Sequence, residues 1–178
     1  GTLIATLTCS IEDPKAPKTK RPPQVLVRGC AFEDLEGKVA LTVASGRRGK
    51  AFLSKWVEGE NGFECEVRTG CSPCPISAMS LSDDAGLMAL GSVDGSIIMW
   101  DVEKWKVLKT FKEVHDLPVT GIAARPYPVP LQGEENGVQI HARSASADSQ
   151  LACLTFQRKG PPTKKKQGGG SISSGPSG

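Results

Sequence analysis

The sequence predicts an all-β fold, and two observations lead to that prediction. Short runs of apolar or alternating residues are separated by tight-turn signals, and no helical periodicity lies between them. Three segments of the chain, 39–56, 86–101 and 141–156, also end in a comparable way. Internal repetition of this kind indicates a protein built from one supersecondary unit that is used several times.

The spacing of the repeats narrows the prediction to a propeller. Trp56 and Trp100 occupy comparable positions, and their separation falls within the period of about 40–45 residues that is typical of a WD-repeat blade. We therefore predict a WD-repeat β-propeller, present as about three four-stranded blades of an incomplete ring. The expected divisions are 1–27, the end of a truncated blade with a Pro/Lys-rich loop; 28–70, a degenerate blade; 71–112, the best-formed WD blade; 113–157, a degenerate blade with a loop insertion at 126–139; and 158–178, a basic and then Gly/Ser-rich tail.

The best-formed unit shows its strands and turns most clearly. In its first strand a period-two alternation places Ile76, Ala78 and Ser80 on one face of the sheet. Gly86 is expected to supply the positive φ of the first turn, and Asp94-Gly95 is a strong hairpin signal. The expected strands of this unit are 75–82, 87–92, 97–100 and 106–111.

A polar network is expected to hold the blades together. Trp100 and Asp101 form the Trp-Asp pair that ends the third strand, and a buried indole N–H needs a hydrogen-bond partner. In WD repeats the partners are a Ser or Thr, an Asp in the preceding hairpin turn and a His between blades. Asp94 and Asp148 occupy the turn position here, and His115 lies where the inter-blade His belongs. We predict structural roles for these five residues.

The other two units depart from this pattern. Leu154 stands where the third unit would carry its Trp, and Arg47 and Arg48 lie near the turn where the first unit would carry its Asp. The network is therefore expected to be complete in at most one blade. A catalytic or ligand role for His115 is the less favoured alternative, because His141 is the only other histidine.

No catalytic residue, metal site or cofactor is predicted. Cys71-Ser-Pro-Cys74 lacks the second ligand pair that a structural zinc site needs, and it lacks the βαβ setting of a redox motif. These two cysteines are expected in an inter-blade loop. Paired carboxylates, a nucleophile elbow and a triad constellation do not stand out either.

Basic residues suggest two possible contact surfaces. Arg47, Arg48 and Lys50 form a basic turn, which is either an ordinary solvated turn on the propeller rim or a contact site for an acidic partner. The run Lys164–Lys166 fits a nuclear-localisation patch or the cytosolic flank of a membrane anchor, and the residues alone do not decide between them. Because no aromatic residues are interleaved with this run, nucleic acid is not predicted as a partner.

The overall composition is that of an ordinary globular chain. It has 178 residues, of which 38% are hydrophobic, and its formal net charge is +3. No apolar run approaches the roughly 18 residues of a spanning helix, so the chain as given is expected to be soluble. Six scattered cysteines without an N-glycosylation sequon favour a reducing, cytosol-facing environment with free thiols.

The third unit also carries a family resemblance. The segments Val114–Pro126 and Arg143–Leu151, followed by the basic tail, resemble the C-terminal blades of the Sec-twelve type guanine-nucleotide exchange factors. That family includes the prolactin regulatory element-binding protein and the plant phosphate transporter traffic facilitator. The similarity extends over roughly residues 1–166, and its motifs are shared in part by other divergent propellers.

The resemblance implies a function in export from the endoplasmic reticulum. It implies a seven-bladed propeller on the cytosolic face of the reticulum membrane, anchored by one helix after the basic tail. Such a protein promotes GDP release from the small GTPase that starts COPII coat assembly. The family's exchange loop lies in an N-terminal blade outside this chain, so no exchange residue is carried over. The alternative is a generic WD-repeat interaction adaptor without exchange activity.

Overall fold

The computed structural model describes residues 6, 7, 9, 25–46, 49–127 and 138–158. Throughout these ranges the fold is all-β, with three antiparallel sheets and no helix. The first sheet contains β1 (Val25–Phe32), β2 (Val39–Gly46), β3 (Ala51–Gly59) and β4 (Gly62–Ser72). The second contains β5 (Ile76–Leu81), β6 (Leu87–Ser92), β7 (Ile97–Asp101) and β8 (Lys106–Phe111), and the third contains β9 (Val119–Tyr127), β10 (Val138–Ser146) and β11 (Leu151–Arg158).

Each sheet is an antiparallel meander in which neighbouring strands follow one another along the chain. The first strand of each sheet lies at one edge, and β1, β5 and β9 contact one another in series. The sheets therefore pack side by side, with their first strands together and their later strands extending away from them. This arrangement is consistent with consecutive blades of a propeller.

The strands predicted for the second sheet are confirmed almost to the residue. The expected strands at 87–92 and 106–111 are β6 and β8 with unchanged bounds. The expected strand at 97–100 is β7, which is longer by Asp101. Each is bounded by a turn whose sequence signal is strong, and this explains why pattern alone located them.

The predicted loop insertion at 126–139 falls only partly within the described residues. β9 continues through Tyr127 and β10 begins at Val138, so both ends of the predicted insertion belong to strands. Its middle, the Pro/Lys-rich loop after Cys9 and the tail after Arg158 lie outside the described residues.

Two apolar cores hold the three sheets together. The first lies between the first and second sheets, where both middle strands of each sheet contribute side chains; it contains Leu41, Val43, Leu53, Ile76, Met88, Leu90 and Trp100. The second lies between the second and third sheets and contains Ala89, Ile97, Met99, Val119, Ile140 and Ala142. The second sheet is consequently covered on both faces, and every residue of β6 and β7 is buried.

The expectation that Ile76 and Ala78 share a face is wrong. The register of β5 against β6 shifts between these two residues, because a β-bulge at Ser77 adds one residue to β5. Ile76 therefore belongs to the first core and Ala78 to the second. The bulged Ser77 donates its hydroxyl hydrogen to the carbonyl oxygen of Val119, 2.6 Å away, which joins the second sheet to the third.

The expectation that Gly86 supplies a positive φ is also wrong, because Ala85 adopts it, with φ 54°. The Asp84 carboxylate accepts hydrogen bonds from the Ser82 hydroxyl and from the Gly86 N–H, at 2.5 and 3.2 Å. The Ala85 N–H donates to the Ser82 carbonyl oxygen at 2.8 Å. These bonds fix the turn around Ala85 and offset the cost of a left-handed conformation at a residue with a Cβ.

Gly95 allows a close backbone approach between the hairpin turn of the second sheet and the β8–β9 connection. It has φ +77°, and the His115 N–H donates to its carbonyl oxygen at 3.3 Å. A Cβ at this position would overlap the carbonyl oxygen of His115. The hairpin turn of the second sheet therefore requires glycine for two reasons, its dihedral angle and the space beside it.

We predict that Gly95→Ala lowers the free energy of unfolding by at least about 2 kcal/mol, because it combines left-handed strain with a backbone clash. Urea denaturation followed by tryptophan fluorescence measures this loss. Gly121→Ala is the matched control, since a Cβ there would meet nothing within 4 Å, and we expect a change below about 1 kcal/mol. Equal losses in the two variants would contradict the close approach.

Candidate functional site

The residues predicted to form the polar network meet most closely around His115. This buried side chain lies in the connection between β8 and β9. Its Nδ1 is 3.3 Å from Oδ2 of Asp148, in the turn between β10 and β11, and its Nε2 is 2.8 Å from the hydroxyl of Ser144 on β10. The structure thus brings together His115 and Asp148, two of the predicted residues, and adds Ser144, which sequence reasoning missed.

Ser144, His115 and Asp148 have the connectivity of a catalytic triad, which the sequence did not suggest. Burial argues against nucleophilic chemistry at this place. Ser144 is 1% exposed and faces the second sheet, so an acyl substrate could not reach its hydroxyl oxygen. The arrangement instead satisfies the polar atoms of a buried histidine and ties the β8–β9 connection to the third sheet.

The turn after β10 holds Asp148 as a carboxylate. Its Oδ1 accepts the Gln150 N–H at 2.9 Å, and its Oδ2 accepts the Asp116 N–H at 3.2 Å. Burial acts to raise the pKa of Asp148, but these backbone N–H groups, the Ser146 hydroxyl and the charge of His115 outweigh it, and the pKa lies below its ordinary value of 3.8. The native state therefore favours the charged form.

Asp94 occupies the equivalent turn of the second sheet and has different neighbours. Its Oδ1 accepts the Ser96 N–H at 3.0 Å. Burial acts to raise the pKa of Asp94, but hydrogen bonds from Ser96, Ser92 and the Cys74 thiol lower it overall. The residue facing this carboxylate is thus a cysteine, where the third sheet uses a histidine.

The thiols of Cys71 and Cys74 are unreactive near neutral pH. Cys71 lies within β4, one residue before its end, rather than in a loop as expected, and burial raises the pKa of its thiol to about 12. The pKa of Cys74 is raised by desolvation, by its hydrogen bond to Asp94 and by the charge of that carboxylate. Both thiols stay protonated near neutral pH, whereas redox catalysis and metal binding require thiolates. All six cysteines are free.

Trp100 is fully packed, but its indole N–H has no partner among the described residues. In the first sheet the Trp56 N–H donates to the Thr42 hydroxyl at 2.9 Å. Trp56 pairs with Ala40 across β2 and β3, and Thr42 follows Ala40 by two residues on β2. The corresponding position in the second sheet is Leu90, which offers no acceptor. The sheet that carries the Trp-Asp pair therefore lacks the hydroxyl that would complete its network.

The remaining predicted residue, Asp101, is fully buried, and its Oδ1 accepts the Lys104 N–H at 2.9 Å in the turn before β8. That turn also places Trp105 edge-on to Trp100, with ring centroids 5.9 Å apart. The Trp105 N–H donates to Thr69 on β4 at 2.9 Å, which joins the first and second sheets. The only sequence signal for Trp105 was an aromatic residue inside a turn.

The basic turn, interpreted as either a solvated rim turn or a contact site for an acidic partner, is only partly described. Lys50 is exposed, whereas Arg47 and Arg48 lie outside the described residues. In the part of the chain that the structure describes, no cluster of His, Cys, Asp and Glu side chains could hold a metal ion. Within the same ranges, no helix has the length and hydropathy that a membrane crossing requires.

Comparisons with known proteins give no family. Neither a protein-family model nor a curated protein matches the chain. Similar solved structures include the crystal structure of the computationally designed Ika4 protein, with 18% identity and a TM-score of 0.48 over 72% of this chain. The chain spans 64% of the length of that designed protein. A similarity of this size identifies neither a family nor a function.

We predict that Thr42→Val lowers the free energy of unfolding by about 1–3 kcal/mol, because it leaves the buried Trp56 N–H without an acceptor. The loss is measured by urea denaturation. Thr110→Val on the exposed side of β8 makes the same chemical change at a position where no hydrogen bond is at stake, and it should be nearly neutral. A neutral Thr42→Val would show that the indole hydrogen bond contributes little.

We also predict that Asp148→Asn flattens the acid side of the stability profile. A lowered pKa means that the Asp148 carboxylate stabilises the native state above its unfolded-state pKa, near 3.8, and that this contribution is lost as the pH falls through the lower folded-state value. The variant should therefore lose less stability than the parent between neutral pH and about pH 3. Asp34→Asn, the same charge change in another turn, controls for net charge, and a variant parallel to the parent would refute the prediction.

Proposed function

We propose that this chain is the C-terminal part of a WD-repeat propeller belonging to a Sec-twelve type guanine-nucleotide exchange factor. The protein would act at the cytosolic face of the endoplasmic reticulum, on the small GTPase that initiates COPII vesicle formation. The chain itself would serve as a rigid protein-interaction platform, and the exchange loop would lie in blades outside this sequence.

One observation supports the WD-repeat part of the proposal above the others. A buried histidine before the first strand of the third sheet contacts a serine on the second strand and an aspartate in the next turn, at 2.8 and 3.3 Å. A WD repeat uses this polar chain between the same elements. The hydrogen bond from Trp56 to Thr42 adds the remaining pair of the pattern, in the first sheet. The family assignment within WD repeats depends on the sequence resemblance of Val114–Pro126 and Arg143–Leu151.

Nucleotide exchange suits a fold of this kind because it needs no reactive side chain. An exchange factor binds the GTPase more tightly without GDP than with it, and by thermodynamic linkage it lowers the affinity for GDP by the same factor. What the reaction requires is a rigid surface complementary to one conformation of the partner. Three sheets joined through two apolar cores provide that rigidity.

The direct test is GDP release. A protein that includes this chain and the blades expected upstream should accelerate loss of a fluorescent GDP analogue from the COPII-initiating GTPase by at least about tenfold over the intrinsic rate. The same protein added to a small GTPase of another pathway is the specificity control. An unchanged release rate with the coat GTPase would overturn the exchange proposal.

The partner contact is tested separately at the basic turn. We predict that Lys50→Glu weakens binding of the GTPase by about three- to tenfold, mainly through a slower association rate, because rim charges steer encounters. Lys112→Glu changes the charge equally at another exposed position and should leave binding within about twofold. Equal effects would mean that net charge, and not this turn, matters.

A generic interaction adaptor is the second candidate. The protonated, unreactive cysteine thiols and the buried Ser144 favour an interaction role without favouring nucleotide exchange in particular. An adaptor would bind its partners without accelerating GDP release. The release assay therefore separates the two candidates.

A further inference from the structure

A cleft of about 670 Å³ opens between the second and third sheets, away from the His115 network. It runs from the end of β5, across the edge strand β9, to the side of β10 that faces away from the second sheet. Three consecutive residues of β9, 123–125, line it, so the free edge of that strand forms part of its wall. The polar residues that line it are Ser80, Asp83, Arg125, Gln139, His141 and Arg143.

The cleft wall on the third sheet is basic. Arg125 lies directly opposite His141 in the register of β9 and β10, and Arg143 is two residues further along the same face. Cross-strand and diagonal neighbours on one face lie within reach of long side chains, so the two guanidinium groups can engage one ligand together. Strands β9, β10 and β11 contain no aspartate or glutamate at all.

Neither arginine is neutralised by the rest of the described protein. Arg125 and Arg143 are exposed, and no ion pair or hydrogen bond involves either side chain in the described ranges. One carboxylate, Asp83, lines the opposite wall and is exposed. The cleft keeps a net positive charge, with the guanidinium donors of both arginines available.

This wall also differs from the surfaces by which the sheets pack on one another. The opposite face of the third sheet presents Ile140, Ala142 and Leu154 to the second sheet, and both inter-sheet cores are apolar. An apolar sheet laid over Arg125 and Arg143 would bury two charges without partners, which is strongly unfavourable. The surface is suited to an anionic ligand instead.

We propose that this cleft binds an extended acidic polypeptide segment, whose carboxylates pair with Arg125 and Arg143. Arginine holds a carboxylate with two parallel hydrogen bonds, and two arginines on adjacent strands would engage carboxylates spaced along an extended chain. Nucleic acid fits the cleft less well, because no Phe, Tyr or Trp is among its lining residues and the imidazole of His141 is the single aromatic ring that the described lining offers to a base. The inference does not depend on exchange activity, and it requires that no further blade covers this face of the third sheet.

The test measures fluorescence anisotropy of a labelled oligoglutamate peptide titrated with the full chain. We expect saturable binding that weakens with added salt, and a loss of about tenfold in affinity in Arg125→Gln/Arg143→Gln. Arg28→Gln/Lys112→Gln removes the same charge from exposed positions outside the cleft and should keep the affinity within about twofold. An oligolysine peptide should not bind.

Several outcomes would overturn the proposal: no binding of oligoglutamate, an equal loss in the control pair, or tighter binding of a single-stranded oligonucleotide through the same two arginines. Thermal unfolding checks that each variant is folded. If the variant Arg125→Gln/Arg143→Gln does not fold, the same titration is made with Arg125→Lys/Arg143→Lys. It keeps the charge but loses the two-point geometry, so we expect about threefold weaker binding, and an unchanged affinity would refute the paired-arginine site.

Discussion

Strands β6 and β7 lie between two neighbouring sheets, so each of their side chains must pack against a surface whichever way it points. This double burial governs much of the rest of the structure. It requires small residues where the third sheet comes closest, and at Gly91 a Cβ would lie only 2.7 Å from the Cβ of Val119. Buried polar groups of the second sheet stand at strand ends and in turns, where Asp94 and Asp101 accept backbone N–H groups.

The unpartnered Trp100 N–H shows that burial of apolar surface contributes more to the stability of this core than a satisfied hydrogen bond would. Burying an indole removes about 150–250 Å² from water, which at about 25 cal/mol per Å² contributes roughly 4–6 kcal/mol. An unsatisfied buried donor costs about 1–3 kcal/mol, so packing outweighs the missing bond. The edge-on contact with Trp105 adds a further favourable term. The network is accordingly divided, with its indole–hydroxyl pair in the first sheet and its histidine–serine–aspartate chain in the third.

Sequence patterns located the strands of the second sheet, because apolar runs bounded by turn residues are local signals. The repeated segments 39–56 and 141–156 fall on β2–β3 and β10–β11. β4 carries no such signal, since its exposed segment around Glu64 and Glu66 is polar. The bulge at Ser77 escaped prediction because the Val119 carbonyl that accepts its hydroxyl hydrogen lies on another sheet. The φ of Ala85 escaped because hydrogen bonds among Ser82, Asp84 and Gly86 set it, whereas residue preference alone favours the glycine. His115 and Asp148 were predictable from repeat position. Ser144 was not, since one small polar residue on a strand has no distinguishing pattern.

The approach of Gly95 to His115 ties the β8–β9 connection to the hairpin turn of the second sheet. The amide of His115 is protected by the carbonyl oxygen of Gly95 in the second sheet, so its proton exchanges with solvent when the β8–β9 connection moves away from that turn. Amides within β10 are protected by hydrogen bonds to β9 and β11, so their protons exchange only when the third sheet itself opens. The exchange rate of this one amide proton therefore gives the free energy of opening of the contact between the Gly95 turn and the β8–β9 connection.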